Sequence, residues 1–146
     1  MAVLGPGARI LLAASILLSL SARAEPVVVV HPSCPVTRLD RDEARRLLLG
    51  ADLSWSNGDA TQLVEIRGDD PVVAAGYQAI ARKTPSQIRA EWNRLVFAGR
   101  ANPPLRFGTA AEARAAVGRL PGAFAVIDSS AADTSVKIVF RAPGPG

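Results

Sequence analysis

The chain has 146 residues, of which 17 are basic and 13 acidic, and a formal net charge of +4. The basic residues are mostly arginine and are interspersed with acidic ones, which excludes the continuous basic stripe of a nucleic-acid-binding surface. A single cysteine excludes an internal disulfide, and the sequence contains no phosphate-binding glycine loop, no zinc-binding histidine pair and no nucleophilic serine motif.

The first 24 residues have the pattern of a cleavable secretory signal. Arg9 precedes an apolar run at 10–20, and Ala22-Arg23-Ala24 then provides the small residues that a signal peptidase reads. The run is shorter than the roughly 20 apolar residues that cross a bilayer, although an uncleaved anchor would share its apolar character. We therefore expect cleavage after Ala24, export to the periplasm and no membrane anchor in the mature chain.

The next part of the chain predicts a strand, a helix, a turn and a second strand. The β-branched run at 27–30 suits a strand that is covered on both faces. A helix follows, with Asp40 as its N-terminal cap and Gly50 at its end. Asn57-Gly58 then predicts a turn, and the apolar residues at 63–66 predict the second strand.

Two helices come next, each with a start signal of its own. Asp70 followed by Pro71 predicts a capped helix whose buried face includes Tyr77. Thr84 begins a capping box and a further helix, which ends at Gly99.

Four more elements follow before the end of the chain. They are a short strand at 105–107, a helix that begins with a second capping box at Thr109–Glu112, and strands at 123–127 and 136–141. The element order β-α-β-α-α-β-α-β-β predicts a single α/β domain at 25–141, with a mainly parallel central sheet and helices on both faces. Residues 142–146 are rich in proline and glycine, and we expect a disordered tail there.

Five segments carry motifs in a characteristic order. They are the strand, Pro-Ser-Cys-Pro-Val loop and helix at 27–50, the Trp-Ser-Asn-Gly turn at 55–58, the Trp-to-Gly stretch at 92–99, the Pro-Pro pair at 103–104 and the Pro-Gly-Ala-Phe-Ala-Val-Ile strand at 121–127. In order and spacing they resemble the phosphate-type periplasmic substrate-binding proteins, over nearly all of 27–140. Such receptors have two lobes that close over an anion. The resemblance implies a single lobe of a type 2 periplasmic binding protein here.

The resemblance also implies a ligand site after the second strand. In phosphate receptors an arginine and a following Ser-Gly-Thr stretch hold the phosphate, and the matching stretch here begins with Arg67, Gly68, Asp69 and Asp70. The arginine matches, but Ser, Gly and Thr are replaced by Pro71, Val72 and Val73. We expect the Asp70 carboxylate to occupy the helix N–H groups and Asp69 to repel an anion, which argues against tight phosphate binding.

The loop after the first strand holds further polar candidates. Ser33 and Thr37 follow a strand end of the kind where ligands bind in open α/β sheets, so they are predicted either to bind ligand or to cap turns. His31 is expected to form local hydrogen bonds. Cys34 is either a buried apolar group or a reactive thiol, and the inward turn of the chain favours burial.

These patterns leave two functions open. The first is an exported single-lobe module accessory to phosphate or oxyanion transport or sensing, with a small oxyanion as its ligand. The second is a protein–protein interaction module that kept the fold and lost anion binding, with a periplasmic or membrane protein as its partner. A homodimer is also compatible with the sequence, because a lone lobe exposes its former cleft face. We expect no cofactor, no metal, no nucleic-acid partner and no catalytic residue, hence no enzyme.

Overall fold

The computed structural model describes residues 24–143. The predicted signal up to residue 23 and the last three residues of the predicted tail lie outside the described residues. Within the described part, the strands are β1 (Pro26–Val30), β2 (Gln62–Ile66), β3 (Leu105–Phe107), β4 (Ala123–Asp128) and β5 (Lys137–Arg141). The α-helices are α1 (Arg41–Leu48), α2 (Pro71–Ala81), α3 (Pro85–Phe97) and α4 (Ala110–Arg119).

The five strands form one sheet in the order β3-β2-β4-β1-β5. Strand β2 is parallel to β3 and β4, whereas β1 is antiparallel to both of its neighbours, β4 and β5. The sheet is therefore mixed, and the prediction of a mainly parallel sheet was wrong. Strand–helix–strand units favour parallel pairing only between strands that become neighbours, and β1 and β2 are separated here by β4.

Helices cover both faces of the sheet, as predicted. One face carries α1, α2 and α3, which pack on alternate residues of the central strands: Val28, Val30, Leu63, Phe124 and Val126. The other face carries α4, which packs on the residues between them: Val27, Val29, Val64, Ala125 and Ile127. Because successive side chains of a strand point to opposite faces, both halves of the core derive from the same strands.

The predicted helix starts are confirmed by their capping contacts. The side chains of Asp40, Thr84 and Thr109 each accept a hydrogen bond from the backbone N–H three residues later. The first two also form complete capping boxes, in which the side chains of Glu43 and Gln87 accept the N–H of the cap residue. The box predicted at Thr109 is incomplete, because the Glu112 side chain accepts the N–H of Gly108 instead. These local contacts fix where the helices begin, and hence which loops reach each end of the sheet.

The described part of the chain continues past β5. Ala142, which the sequence assigns to the tail, is buried, and its N–H donates to the carbonyl of Pro26 at 2.8 Å. Among residues 24–143, no helix has the length and apolar character needed to cross a membrane.

Candidate functional site

The N-terminus of α2 lies at the carboxyl end of β2, where the sequence predicts a ligand site. One carboxylate oxygen of Asp70 accepts the N–H of Val72 at 2.9 Å and the N–H of Val73 at 3.2 Å. Pro71 has no N–H, and the N–H of Ala74 donates to the Asp70 carbonyl at 2.9 Å. All the donors of the first helical turn are therefore engaged by Asp70 or absent.

The segment before this cap is exposed and carries mixed charge. Arg67 extends the pairing of β2 with β3 by one residue, since its N–H donates to the Phe107 carbonyl at 2.7 Å. Gly68 adopts a positive φ of 82° and turns the chain toward α2. The side chains of Arg67 and Asp69 are exposed on either side of this turn. One guanidinium is thus close in sequence to two carboxylates, those of Asp69 and Asp70.

Ser33 and Thr37 do not join this group. Val30, at the end of β1, lies opposite Phe124 at the start of β4, and β4 runs parallel to β2. The loop after β1 therefore lies at the opposite end of the sheet from Arg67–Asp70. The structure places the six predicted ligand-binding residues in two groups, one at each end of the sheet.

The loop after β1 is held together by local contacts. The Nδ1 atom of His31 is 2.7 Å from the Ser33 hydroxyl and accepts the Ser33 N–H at 3.0 Å, which confirms the predicted local role of His31. Cys34 is buried, as favoured from the sequence, and burial raises the pKa of its thiol. The Lys137 ammonium donates to the Cys34 carbonyl at 2.6 Å and so ties this loop to β5.

Searches with protein-family models and among curated proteins gave no match to this sequence. Solved structures do match. A phosphate ABC transporter substrate-binding protein with bound phosphate from Clostridium perfringens superposes with a TM-score of 0.61 at 16% identity, over 80% of this chain and 44% of that one. PstS from Borrelia burgdorferi gives 0.60 at 10% identity, over 80% of this chain and 46% of that one.

An ABC-type phosphate transport receptor from Vibrio cholerae gives a TM-score of 0.52 at 16% identity, again over 80% of this chain and 45% of that one. The fold is that of a single receptor lobe. The chain spans less than half the length of these receptors, as the sequence resemblance implied. At such low identity the likeness establishes the fold, and the ligand chemistry has to be argued from the residues of this chain.

One charged cluster beside the lobe's predicted ligand segment was missed from the sequence. Glu65 points from β2 into the face covered by α2 and α3, and its side chain is only 3% exposed. Its Oε2 atom lies 3.7 Å from Nε of Arg89 on α3 and 3.9 Å from Nε of Arg106 on β3. These distances are too long for hydrogen bonds, and Oε2 has no hydrogen-bond partner among the described residues.

The charges of this cluster connect strand β2 to helix α3 and to strand β3. Burial raises the pKa of Glu65, and the two arginines oppose that rise only in part. The pKa of the nearby Tyr77 hydroxyl is raised as well, chiefly by burial and further by the Glu65 charge. The signal in the sequence was a lone carboxylate within the apolar run of β2, on the same face as Leu63. Its arginine partners come from distant segments, so the cluster could be found only after folding.

The raised pKa makes Glu65 a source of pH-dependent stability. The folded chain binds the Glu65 proton more tightly than the unfolded chain does, where its ordinary pKa is 4.5. The resulting contribution to the free energy of unfolding is complete below that pH and is lost as the pH rises through the folded-state pKa. We expect wild type to lose stability relative to Glu65→Gln as the pH rises from 4 toward 7, measured by urea unfolding.

Glu91→Gln, at a surface pair on α3, is the matched control for removing one carboxylate. The interpretation fails if the stability difference between wild type and Glu65→Gln is constant over this range or changes in the opposite direction.

Proposed function

We propose that this chain is an exported, non-catalytic module with the fold of one receptor lobe, and that it acts by contacting another protein rather than by holding phosphate. In this proposal residues 1–24 are removed on export and the domain works in the periplasm. The observation that argues against phosphate binding, and so favours this alternative, is the Asp70 carboxylate that accepts the N–H groups of Val72 and Val73.

A helix N-terminus binds an anion through free N–H groups and the positive end of the helix dipole. In α2 the Asp70 carboxylate already accepts the N–H groups of Val72 and Val73, at 2.9 and 3.2 Å, and lies at the positive end of the dipole. An incoming oxyanion would have to displace this carboxylate, and the exposed Asp69 carboxylate would still repel it. Two unit charges about 5 Å apart repel by roughly 3 kcal/mol at an effective dielectric constant near 20. Arg67 offsets only one of the two carboxylates.

An accessory role in phosphate or oxyanion transport or sensing is the second candidate. Arg67 favours it, because this exposed arginine stands where the resemblance places the arginine of phosphate receptors. In this alternative the ligand is a small oxyanion that Arg67 binds at the carboxyl end of β2, after the Asp70 side chain has moved away from the helix N-terminus.

Calorimetric titration of the mature chain with phosphate and with sulfate separates the two candidates. We expect no binding tighter than about 10 mM for either anion. A Kd below about 100 µM that Arg67→Ala abolishes would establish the oxyanion role instead.

A double variant tests whether Asp69 and Asp70 are what prevents phosphate binding. Asp69→Asn combined with Asp70→Gly frees two N–H groups beside Arg67, and we expect it to gain weak phosphate binding, in the millimolar range (about 1–10 mM). Thr84→Gly is the control, because it frees the Gln87 N–H at the start of α3, away from the Arg67 segment. Equal gains in both variants would show that any uncapped helix suffices, and the explanation based on Asp69 and Asp70 would then fail.

A further inference from the structure

A groove of about 590 Å³ runs between the loop at 37–41 and strand β5. The loop closes one part of it, where the N–H of Leu39 donates to the Val139 carbonyl at 2.8 Å. Beyond that contact the chain continues into α1, and no backbone hydrogen bond joins the loop at 37–41 to Arg141. Thr37, predicted from the sequence as a ligand-binding residue, lines this groove.

Strand β5 is the last strand of the sheet, so its outer side is an open edge. Residues 140 and 142 pair with β1: Phe140 lies opposite Val28, and the Ala142 N–H donates to Pro26. Because hydrogen-bonding direction alternates along an antiparallel strand, the N–H and C=O of Arg141 point outward into the groove. An outward-facing pair of this kind is a template for adding a strand.

The groove has an excess of positive charge. Arg38, Arg41 and Arg141 line it, against the single acidic residue Asp40. The Asp40 side chain is engaged as the cap of α1, and the hydrogen bond that it accepts from the Glu43 N–H lowers its pKa. Arg141 pairs with Glu25 at 3.0 Å, and Arg41 donates to the Ala79 carbonyl. Arg38 is exposed, and among the described residues it has no acidic partner within salt-bridge distance.

We propose that this groove binds an extended, acidic segment of another protein, which adds to the sheet as a strand beside β5. The proposal rests on the protein-contact function above and assigns it a surface. Main-chain bonds to Arg141 provide affinity that does not depend on side chains, and the arginines select carboxylates at the flanks.

Other occupants of the groove fit less well. The parts of this chain outside the described residues, 1–23 and 144–146, contain no Asp or Glu, so neither supplies the complementary charge. A second copy paired through the same edge would bring the two arginine-rich grooves together, which charge repulsion disfavours. A partner of opposite charge avoids both problems.

The test uses the mature chain and two fluorescein-labelled peptides, one of alternating Glu and Val and a counterpart with Lys in place of Glu. We expect the acidic peptide to bind with a Kd on the order of 10–100 µM by fluorescence anisotropy, more weakly at high salt, and the basic peptide not to bind. NMR shifts should concentrate on the amides of Val139 and Arg141.

Two pairs of variants separate the effect of charge from that of strand addition. Arg38→Glu should raise the Kd of the acidic peptide about tenfold. Arg100→Glu makes the same change of charge at an exposed position outside the groove, and it should leave the Kd unchanged. Arg141→Pro removes the outward N–H, and Arg141→Thr keeps it, so the proline variant should bind at least about fivefold more weakly than the threonine variant. Circular dichroism confirms that each variant is folded.

Equal effects of Arg38→Glu and Arg100→Glu, or equal binding by Arg141→Pro and Arg141→Thr, overturn the proposal. So does competition by inorganic phosphate or anionic phospholipid vesicles at concentrations where the peptide binds, since the groove would then be a general anion site. The phosphate titration described above is independent of this groove. Phosphate binding that Arg67→Ala abolishes would therefore count against the proposed function, and it would not be confused with failure of the groove.

Discussion

Replacing Trp92 with alanine should lower the free energy of unfolding by about 3–5 kcal/mol. Trp92 has no exposed surface and lies where α3 meets α1 and the sheet. Its ring is 6.2 Å from that of Phe124 on β4, and its Nε1–H donates to the Leu48 carbonyl at 2.8 Å. That carbonyl is one of the last in α1 and lacks a partner within the helix, so alanine removes both a large apolar contact and the donor that satisfies α1.

Urea unfolding followed by circular dichroism measures the loss. Trp92→Phe keeps most of the apolar contact and leaves the Leu48 carbonyl without its donor, so it should lose less, about 1–3 kcal/mol. Phe97→Ala is the control on the same helix: Phe97 is 93% exposed, and its removal should change stability by less than about 0.5 kcal/mol. Comparable losses at Trp92 and Phe97 would mean that α3 does not pack as described.

The features that the sequence predicted well depend on neighbours in the chain. Asp40, Thr84 and Thr109 cap their helices through the N–H three residues later, so the residues that decide the outcome are adjacent and visible in the sequence. The direction of β1 is different. Its position between β4 and β5 is decided by pairing with residues about 100 positions away, such as Val27 with Ile127. No local pattern encodes that choice, and the parallel sheet was accordingly predicted in error.

The candidate site likewise has features that depend on adjacent residues and features that depend on distant ones. The engagement of the α2 donors by Asp70 was predictable because Asp70, Pro71 and Val72 are consecutive. The separation of Ser33 from Arg67 was not, because it follows from the reversed direction of β1. The Glu65 cluster was not predictable either, since Arg89 and Arg106 reach Glu65 from a helix and an edge strand distant in sequence. The arrangement of the candidate site therefore depends on long-range strand pairing more than its local motifs indicate.

Gly122→Ala should destabilise the domain by about 2–5 kcal/mol. Gly122 has a φ of +85°, and a Cβ atom there would lie 2.1 Å from the Ala60 carbonyl oxygen, which belongs to the backbone and cannot swing aside. The Gly122 carbonyl also accepts the N–H of Gln62 and the Nε1–H of Trp55, each at 3.0 Å. Any backbone shift that relieves the clash therefore disturbs both the start of β2 and the buried Trp55 ring.

Gly58→Ala is the matched control for this substitution. Gly58 also has a positive φ, +89°, but a Cβ there meets nothing within 4 Å. Gly58→Ala should therefore lower the free energy of unfolding only by the penalty for a positive φ, about 1–2 kcal/mol. Thermal and urea unfolding of both variants give the comparison, and Trp55 fluorescence should change in Gly122→Ala alone. If the two variants lose the same free energy, the contact between Gly122 and Ala60 does not constrain the turn before β4, and the loss reflects φ alone.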